Sequence, residues 1–180
     1  TNPEKLILLM LSEIHEHLKI KSDIDPAFVK EAINTRNTWG FEWKYPSLFD
    51  GTGSDSKELT DVVNTLDMWW FIEISYDNLN DAEKENLKEL ASLYGKDPKF
   101  PGFDGNNEGE LISIANFLTD QLDRFTSFKG RINNSHYPTI AGYRRMYEVF
   151  EPIRRTLDLR RLSVDEIGKI LNAWKHSSGD

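Results

Sequence analysis

Residues 100–128 constrain this chain more than any other stretch, because phenylalanines and glycines share one loop and a helix follows directly. The loop contains FPGFDGNNEG, with Pro101, Gly102, Gly105 and Gly109 interleaved with Phe100, Phe103 and Asp104. Loops that face water are built from small polar residues. Two phenylalanines beside glycines therefore predict a loop packed inward, its glycines supplying turns that a side chain would block. Beyond it, Leu111, Ile114, Ala115, Leu118, Leu122 and Phe125 recur at three- and four-residue steps, the stripe of a helix. Phe117, Arg124 and Phe128 mark a second face.

The same helical period runs through most of the remaining chain. Asn2-Pro3 starts a helix whose stripe is Ile7, Met10, Leu11, Ile14 and Leu18. Leu6, Leu8 and Leu9 widen that stripe, which predicts a helix buried on more than one side. Its apolar run is too short to cross a bilayer and is flanked by Glu4, Lys5 and Glu13. Asp25-Pro26 starts a second helix with Phe28, Val29, Ala32 and Ile33 inward, so the two form a hairpin. Trp39, Phe41, Trp43 and Tyr45 then alternate with the period of a strand; Pro46 limits this to an edge strand or an extended segment laid across helices. Gly, Ser, Thr and Asp at 51–56 mark a boundary between residues 1–52, the hairpin with its aromatic segment, and a helical domain at 53–180.

In the second part, Ser56 caps a helix with Leu59, Val62, Val63, Leu66 and Trp70 inward and Trp69 extending the stripe. Asn80 with Glu83, and Ser163 with Glu166, have capping-box spacing. Gly95 closes the helix begun at Asn80. Residues 130–136 read as a polar linker. A helix with Ile140, Tyr143, Tyr147 and Phe150 must break or kink at Pro152, and the last helix turns Val164, Ile167, Ile170, Leu171 and Trp174 inward. The expected fold is all-α: an N-terminal helical hairpin plus a larger irregular helical domain, about seven helices in all.

Charge and composition narrow the chemistry. The net charge of −8 argues against general nucleic-acid binding. The charge is uneven, with 9 Lys+Arg against 18 Asp+Glu in residues 1–90 and a basic stretch at 129–161 bearing three Arg-Arg pairs. Local ion pairing, docking on the acidic half of another copy and phosphate contact are its three readings. There is no cysteine, hence no disulfide, thiolate nucleophile or Cys-ligated metal. That suits a reducing compartment, and a cytoplasmic location is expected. His15 and His17 are two apart and point to different sides of a helix, so no metal site is expected. Neither HExxH, a glycine-rich phosphate loop nor a G-x-S-x-G elbow occurs, which weighs against the common enzyme classes. The carboxylates Asp61, Asp67, Asp120 and Asp123 read as a solvated face. The three candidate ligand-binding residues are Asp104 and Glu108, at the start of the central helix where its dipole favours negative charge, and Arg124. They read either as a cap with an ion pair or as a pocket built from the loop.

Several segments, DVVNTLDMWWFIEISYDNL at 61–79, FPGFDGNNEGE at 100–110, DRFTSF at 123–128, YRRMYEVF at 143–150 and LSVDEIGKILNA at 162–173, resemble the YfbU family of bacterial proteins, as does the start TNPEKLILL. The resemblance implies an all-helical fold, a hairpin beside a larger domain, a cytosolic location and homo-oligomerisation. It brings no catalytic residue and no cofactor. The chain departs from the family in the aromatic segment at 39–49 and the turn after it. The first functional reading is a non-enzymatic, self-associating helical protein. The alternative is a small-molecule or nucleotide-binding protein, or an enzyme, using the 100–124 region; nucleic-acid contact through 129–161 comes third.

Overall fold

The computed structural model describes residues 2–49 and 55–175, so His176 and most of the 51–56 boundary lie outside the described residues. Among the described residues the fold is all-α: eight α-helices, three short 3₁₀ turns, and a single isolated bridge between Phe103 and Asn134. The helices are α1 (Asn2–His17), α2 (Pro26–Asn34), α3 (Gly40–Lys44), α4 (Lys57–Tyr76), α5 (Asp81–Ala91), α6 (Gly109–Asp120), α7 (Ile140–Arg154) and α8 (Val164–Asn172).

The helix beyond the seven expected is α3, where alternating aromatics predicted extended backbone. Trp39 and Trp43 are four apart, so a helical turn puts them on one face, and their rings meet edge to face at 5.4 Å. Phe41 and Tyr45 turn instead to Phe28, at 6.2 and 5.9 Å. The alternation reflected two helical faces, both aromatic. Gly40 makes the arrangement possible, because a Cβ there would lie 2.4 Å from the Phe117 ring. Phe117 in turn packs on Phe28 and Trp39, each at 5.4 Å, and so joins the N-terminal hairpin to α6.

The main core forms around α4, against which α6, α7 and α8 pack; α5 pairs with α8. Ser56 accepts from Leu59 N at 3.1 Å, and both expected capping boxes are formed. Leu59, Val62, Leu66, Ile72 and Tyr76 are buried, with Trp69 at 5 % exposure and Trp70 at 37 %, the reverse of the expected order. The stripe follows Val62 rather than Val63, and Trp69 is seven residues, two turns, beyond Val62. Pro152 neither breaks α7 nor shortens it at once, since the helix continues to Arg154. So near the end, its missing N–H removes only one bond of the last turn.

Two further expectations are corrected. The central helix stops at Asp120 instead of running through Phe125; Asp123 and Phe125 then take positive φ of 49° and 51°, and a 3₁₀ turn places Phe128 fully in the core. More consequentially, α1 is not buried on several sides. It packs on α2, and only Ser12 in it is buried. Leu6, Ile7, Leu8, Met10, Leu11 and Ile14, with Leu18 and Ile20 beyond the helix, are each 40–63 % exposed.

Candidate functional site

The loop that precedes α6 is held by carboxylates rather than by its rings alone. Phe100 and Phe103 are buried and meet edge to face at 5.4 Å, with Phe128 and Tyr143 against them. At Gly102 the chain takes φ +99°, and a Cβ would lie 2.0 Å from the Asn133 carbonyl oxygen. Phe103 N donates to Asn133 O at 3.2 Å and Ser135 N to Phe103 O at 3.0 Å. Asn134 Oδ1 accepts from Gly105 N at 2.9 Å and His136 N at 2.8 Å. The stretch expected to be a polar linker is therefore docked along the loop.

Glu108 connects this pair of loops to α7. Its Oε1 accepts from Thr139 N and Ile140 N, both at 2.8 Å; its Oε2 accepts from Asp104 N at 2.8 Å and Thr139 Oγ1 at 2.7 Å. Thr139 and Ile140 are the cap and first residue of α7, so this carboxylate is the cap that Thr139's own side chain does not supply. Asp104 accepts from Asn106 N at 3.1 Å and from the Asn107 side-chain amide. Tyr143 O–H donates to Gly102 O at 2.6 Å, and burial pushes its phenol well above the ordinary range. Both acids are thus satisfied inside the protein, at 1 and 7 % exposure.

Arg124 is elsewhere. The chain has left the helix before it, its side chain is exposed, and its guanidinium lies over the Trp43 ring at 5.6 Å. The structure brings Asp104 and Glu108 together and leaves Arg124 with α3. The half-buried ion pair belongs instead to Glu73 on α4: its buried Oε1 accepts from Phe100 N at 2.8 Å, and Arg131, itself 40 % exposed, approaches both oxygens at 2.9–3.1 Å. Sequence reading missed this pair. The signal was present, since Glu73 falls seven residues after Leu66 and four after Trp69, and a charge in a buried stripe requires a partner.

A family model described as the YfbU domain matches residues 3–173. The chain belongs to the YfbU family. UPF0304 protein MJECS11 of Methanocaldococcus jannaschii is 37 % identical over 119 residues, which cover 62 % of this chain and 65 % of that relative. The relative is archaeal, so the likeness extends beyond bacteria. Neither name specifies a reaction, a ligand or a partner.

In this YfbU chain the basic stretch is largely spent at home. Arg144 forks onto Asp61, and Arg154 reaches Asp67 at 3.3 Å while lying 4.4 Å over the Phe71 ring. Burial raises the Asp67 pKa and Arg154 opposes the rise. Those two acids are not a solvated face; they tie α4 to α7. Arg145 Nη2 donates to Trp174 O at 2.7 Å, Arg161 Nη1 to Ile74 O at 2.8 Å, and Arg155 pairs with Glu151. Arg160 grips Glu166 through two bonds of 2.7 Å, which with Ser163 holds the Glu166 carboxyl down at about 2. Among the described residues no helix is long and apolar enough to cross a membrane.

Proposed function

We propose that this YfbU-family chain is a self-associating helical protein whose copies meet through α1. The observation that carries the reading is the exposed apolar face from Leu6 to Ile20 on a helix that packs on α2. A monomer seldom exposes such a contiguous patch. Each of the eight half-exposed side chains gains roughly 1 kcal/mol when covered, about half the value for full burial. Two copies give roughly 16 kcal/mol gross at full cover, enough to exceed the ~4–15 kcal/mol cost of association.

A second copy suits this face better than a lipid surface. Lys5, Lys19 and Lys21 are outnumbered there by Glu4, Glu13, Glu16, Asp23 and Asp25, so anionic headgroups are repelled. An antiparallel α1–α1 contact is self-complementary, because the positive end of each helix dipole lies beside the negative end of the other. The charge asymmetry adds little, since the arginines are engaged within the chain. A ligand site at Asp104, Glu108 and Arg124 has less behind it, since both carboxylates are occupied and the arginine is distant from their hydrogen-bond network.

Sedimentation equilibrium over a range of concentrations tests the proposal, with Ile7→Asp and Leu11→Asp as variants. Both positions are more than half exposed, so the monomer fold should survive. The expected result is a dimer or larger oligomer for the native chain and a monomer for the double variant. A native chain that stays monomeric into the high micromolar range refutes it.

A further inference from the structure

Four aromatic side chains, Trp69, Tyr94, Tyr137 and Trp174, line one cavity of about 160 Å³ together with Met146 and Asp97. They come from separate places in the chain. Trp69 belongs to α4, Tyr94 to the 3₁₀ turn after α5, Met146 to α7, and Trp174 follows α8. The rings stand at angles to one another. Tyr137 is perpendicular to Trp174, at 89° and 6.4 Å, and Tyr94 is tilted from it by 45° at 6.3 Å, so the three form a corner rather than a stack. Trp174 is fixed in that corner. A Cβ at Gly142 would come within 3.0–3.2 Å of its ring, and its carbonyl accepts from Arg145 Nη2 at 2.7 Å. The two tyrosines are 42 and 48 % exposed, so their rings border the cavity without being sealed into the core.

The charge of this cavity has one sign. Lys99, its only basic residue, is neutralised by Asp77 at 3.0 Å. Asp97 has no cation among the described residues. Arg145 and Lys175 line the adjoining concavity instead, Arg145 spent on the Ala173 and Trp174 carbonyls and Lys175 on Asn172 Oδ1. The Tyr94 and Tyr137 phenols lie near each other: burial raises the Tyr137 pKa and the Tyr94 phenol adds to the rise. Aromatic walls beside one uncompensated carboxylate are suited to an organic cation, because the negative ring faces attract positive charge. A bare metal ion does not fit, since one carboxylate cannot replace its shell of oxygen ligands. A primary ammonium would also lose hydrogen bonds to water that these walls cannot replace. A quaternary ammonium has no N–H to satisfy, and its methyl groups gain apolar contact with the rings and Met146.

We propose that this cavity binds the quaternary ammonium head of a choline-type molecule, held by Tyr94, Tyr137 and Trp174 and balanced by Asp97. A molecule that carries a carboxylate beside the ammonium is disfavoured, because no free cation in the cavity receives it. The proposal is independent of self-association, whose surface is on α1.

Titration of the native protein with choline, followed in nitrogen–proton correlation spectra, tests it. The probes for comparison are dimethylbutanol, the neutral carbon isostere of choline, and phosphatidylcholine vesicles, which carry the same head on a lipid. The expected result is a saturable shift of the Trp174 indole N–H and the Asp97 amide at millimolar choline or below, with the isostere binding at least about fivefold more weakly. Two variants at exposed positions leave the fold intact. Asp97→Asn should weaken choline roughly three- to fivefold and remove the salt dependence of its binding. Tyr137→Leu keeps an apolar side chain without a π face; it should weaken choline by a similar factor and leave the isostere unchanged. Vesicle binding that free choline displaces supports the same site with a lipid as the source. Vesicle binding that choline does not displace, with no choline shift, overturns the proposal. So does the absence of a saturable shift at tens of millimolar choline, an isostere that binds as well as choline, or an Asp97→Asn protein with native affinity.

Discussion

Replacing Glu108 by alanine should be the most damaging single change to a charged residue in this protein, and the hydrogen-bond geometry sets the size of the effect. The carboxylate accepts four bonds of 2.7–2.8 Å, three of them from backbone N–H groups at Asp104, Thr139 and Ile140. Thr139 Oγ1 has Gly102 O at 3.4 Å as a second acceptor and can be rescued. The backbone donors have no such substitute. A buried donor left unpaired costs about 1–3 kcal/mol, and water admitted to the space vacated by the side chain recovers part of it. Three donors give a net loss of roughly 3–6 kcal/mol, a large share of the ~5–15 kcal/mol typical of a domain. At about 2–4 °C per kcal/mol for a chain of this size, Tm should fall by roughly 10–20 °C. Glu108→Gln keeps one acceptor oxygen and should cost about half as much. Urea unfolding followed by tryptophan fluorescence measures both. Alanine and glutamine variants within 1 kcal/mol of the native chain would show that the loop and the start of α7 are held by ring packing, and the carboxylate argument would fail.

Other outcomes follow from the same geometry. Gly102→Ala combines a positive φ with a Cβ 2.0 Å from a backbone oxygen, so it should destabilise by about 3 kcal/mol or more, read as a lowered urea midpoint at unchanged m-value. Phe117→Ala removes the ring that joins Phe28 and Trp39 to α6; it should cost about 3–5 kcal/mol and make the α2–α3 region the first site of limited proteolysis. The Glu166 carboxyl is held at about 2 by Arg160, below its ordinary value of 4.5. Its contribution is therefore fully present above pH ~4.5 and is lost as pH falls towards 2. Arg160→Gln should flatten the stability profile in that window and leave its shape above pH 5 unchanged, as followed by thermal melts at stepped pH.

What could be read in the sequence was local, and what could not was relational. Ser56, Asn80 with Glu83, and Ser163 with Glu166 announced their helices because a cap depends on residues three apart. The inward loop was legible because glycine beside phenylalanine has few other uses. The aromatic segment was misread because a period of two and two aromatic faces of one helical turn look alike over five residues. Glu108 was recognised as an acid near a helix start, but the helix it caps is α7, 31 and 32 residues later at Thr139 and Ile140. Arg124 was joined to it by assuming that α6 continued; nothing local in the sequence signals the positive φ at Asp123 that ends the register. The exposure of α1 was hidden for a different reason. A wide apolar stripe predicts burial without saying whether the covering surface belongs to the same molecule.

That last ambiguity can be resolved by mass action, because the fold and the assembly rest on different groups. The carboxylates that latch the loops, Glu73 and Glu108, are interior and have no part in the α1 face. The residues of that face contribute little to the monomer core. If α1 is covered by a second copy, association stabilises the native state in proportion to the logarithm of concentration, and Tm of the native chain should rise steadily with protein concentration. Ile7→Asp with Leu11→Asp should abolish that dependence while leaving Tm at low concentration where it was. Glu108→Ala should do the opposite, lowering Tm everywhere and preserving its slope with concentration. Calorimetry of the three proteins across a hundredfold concentration range separates the cases. A Tm independent of concentration in the native chain would place the cover of α1 outside this polypeptide altogether.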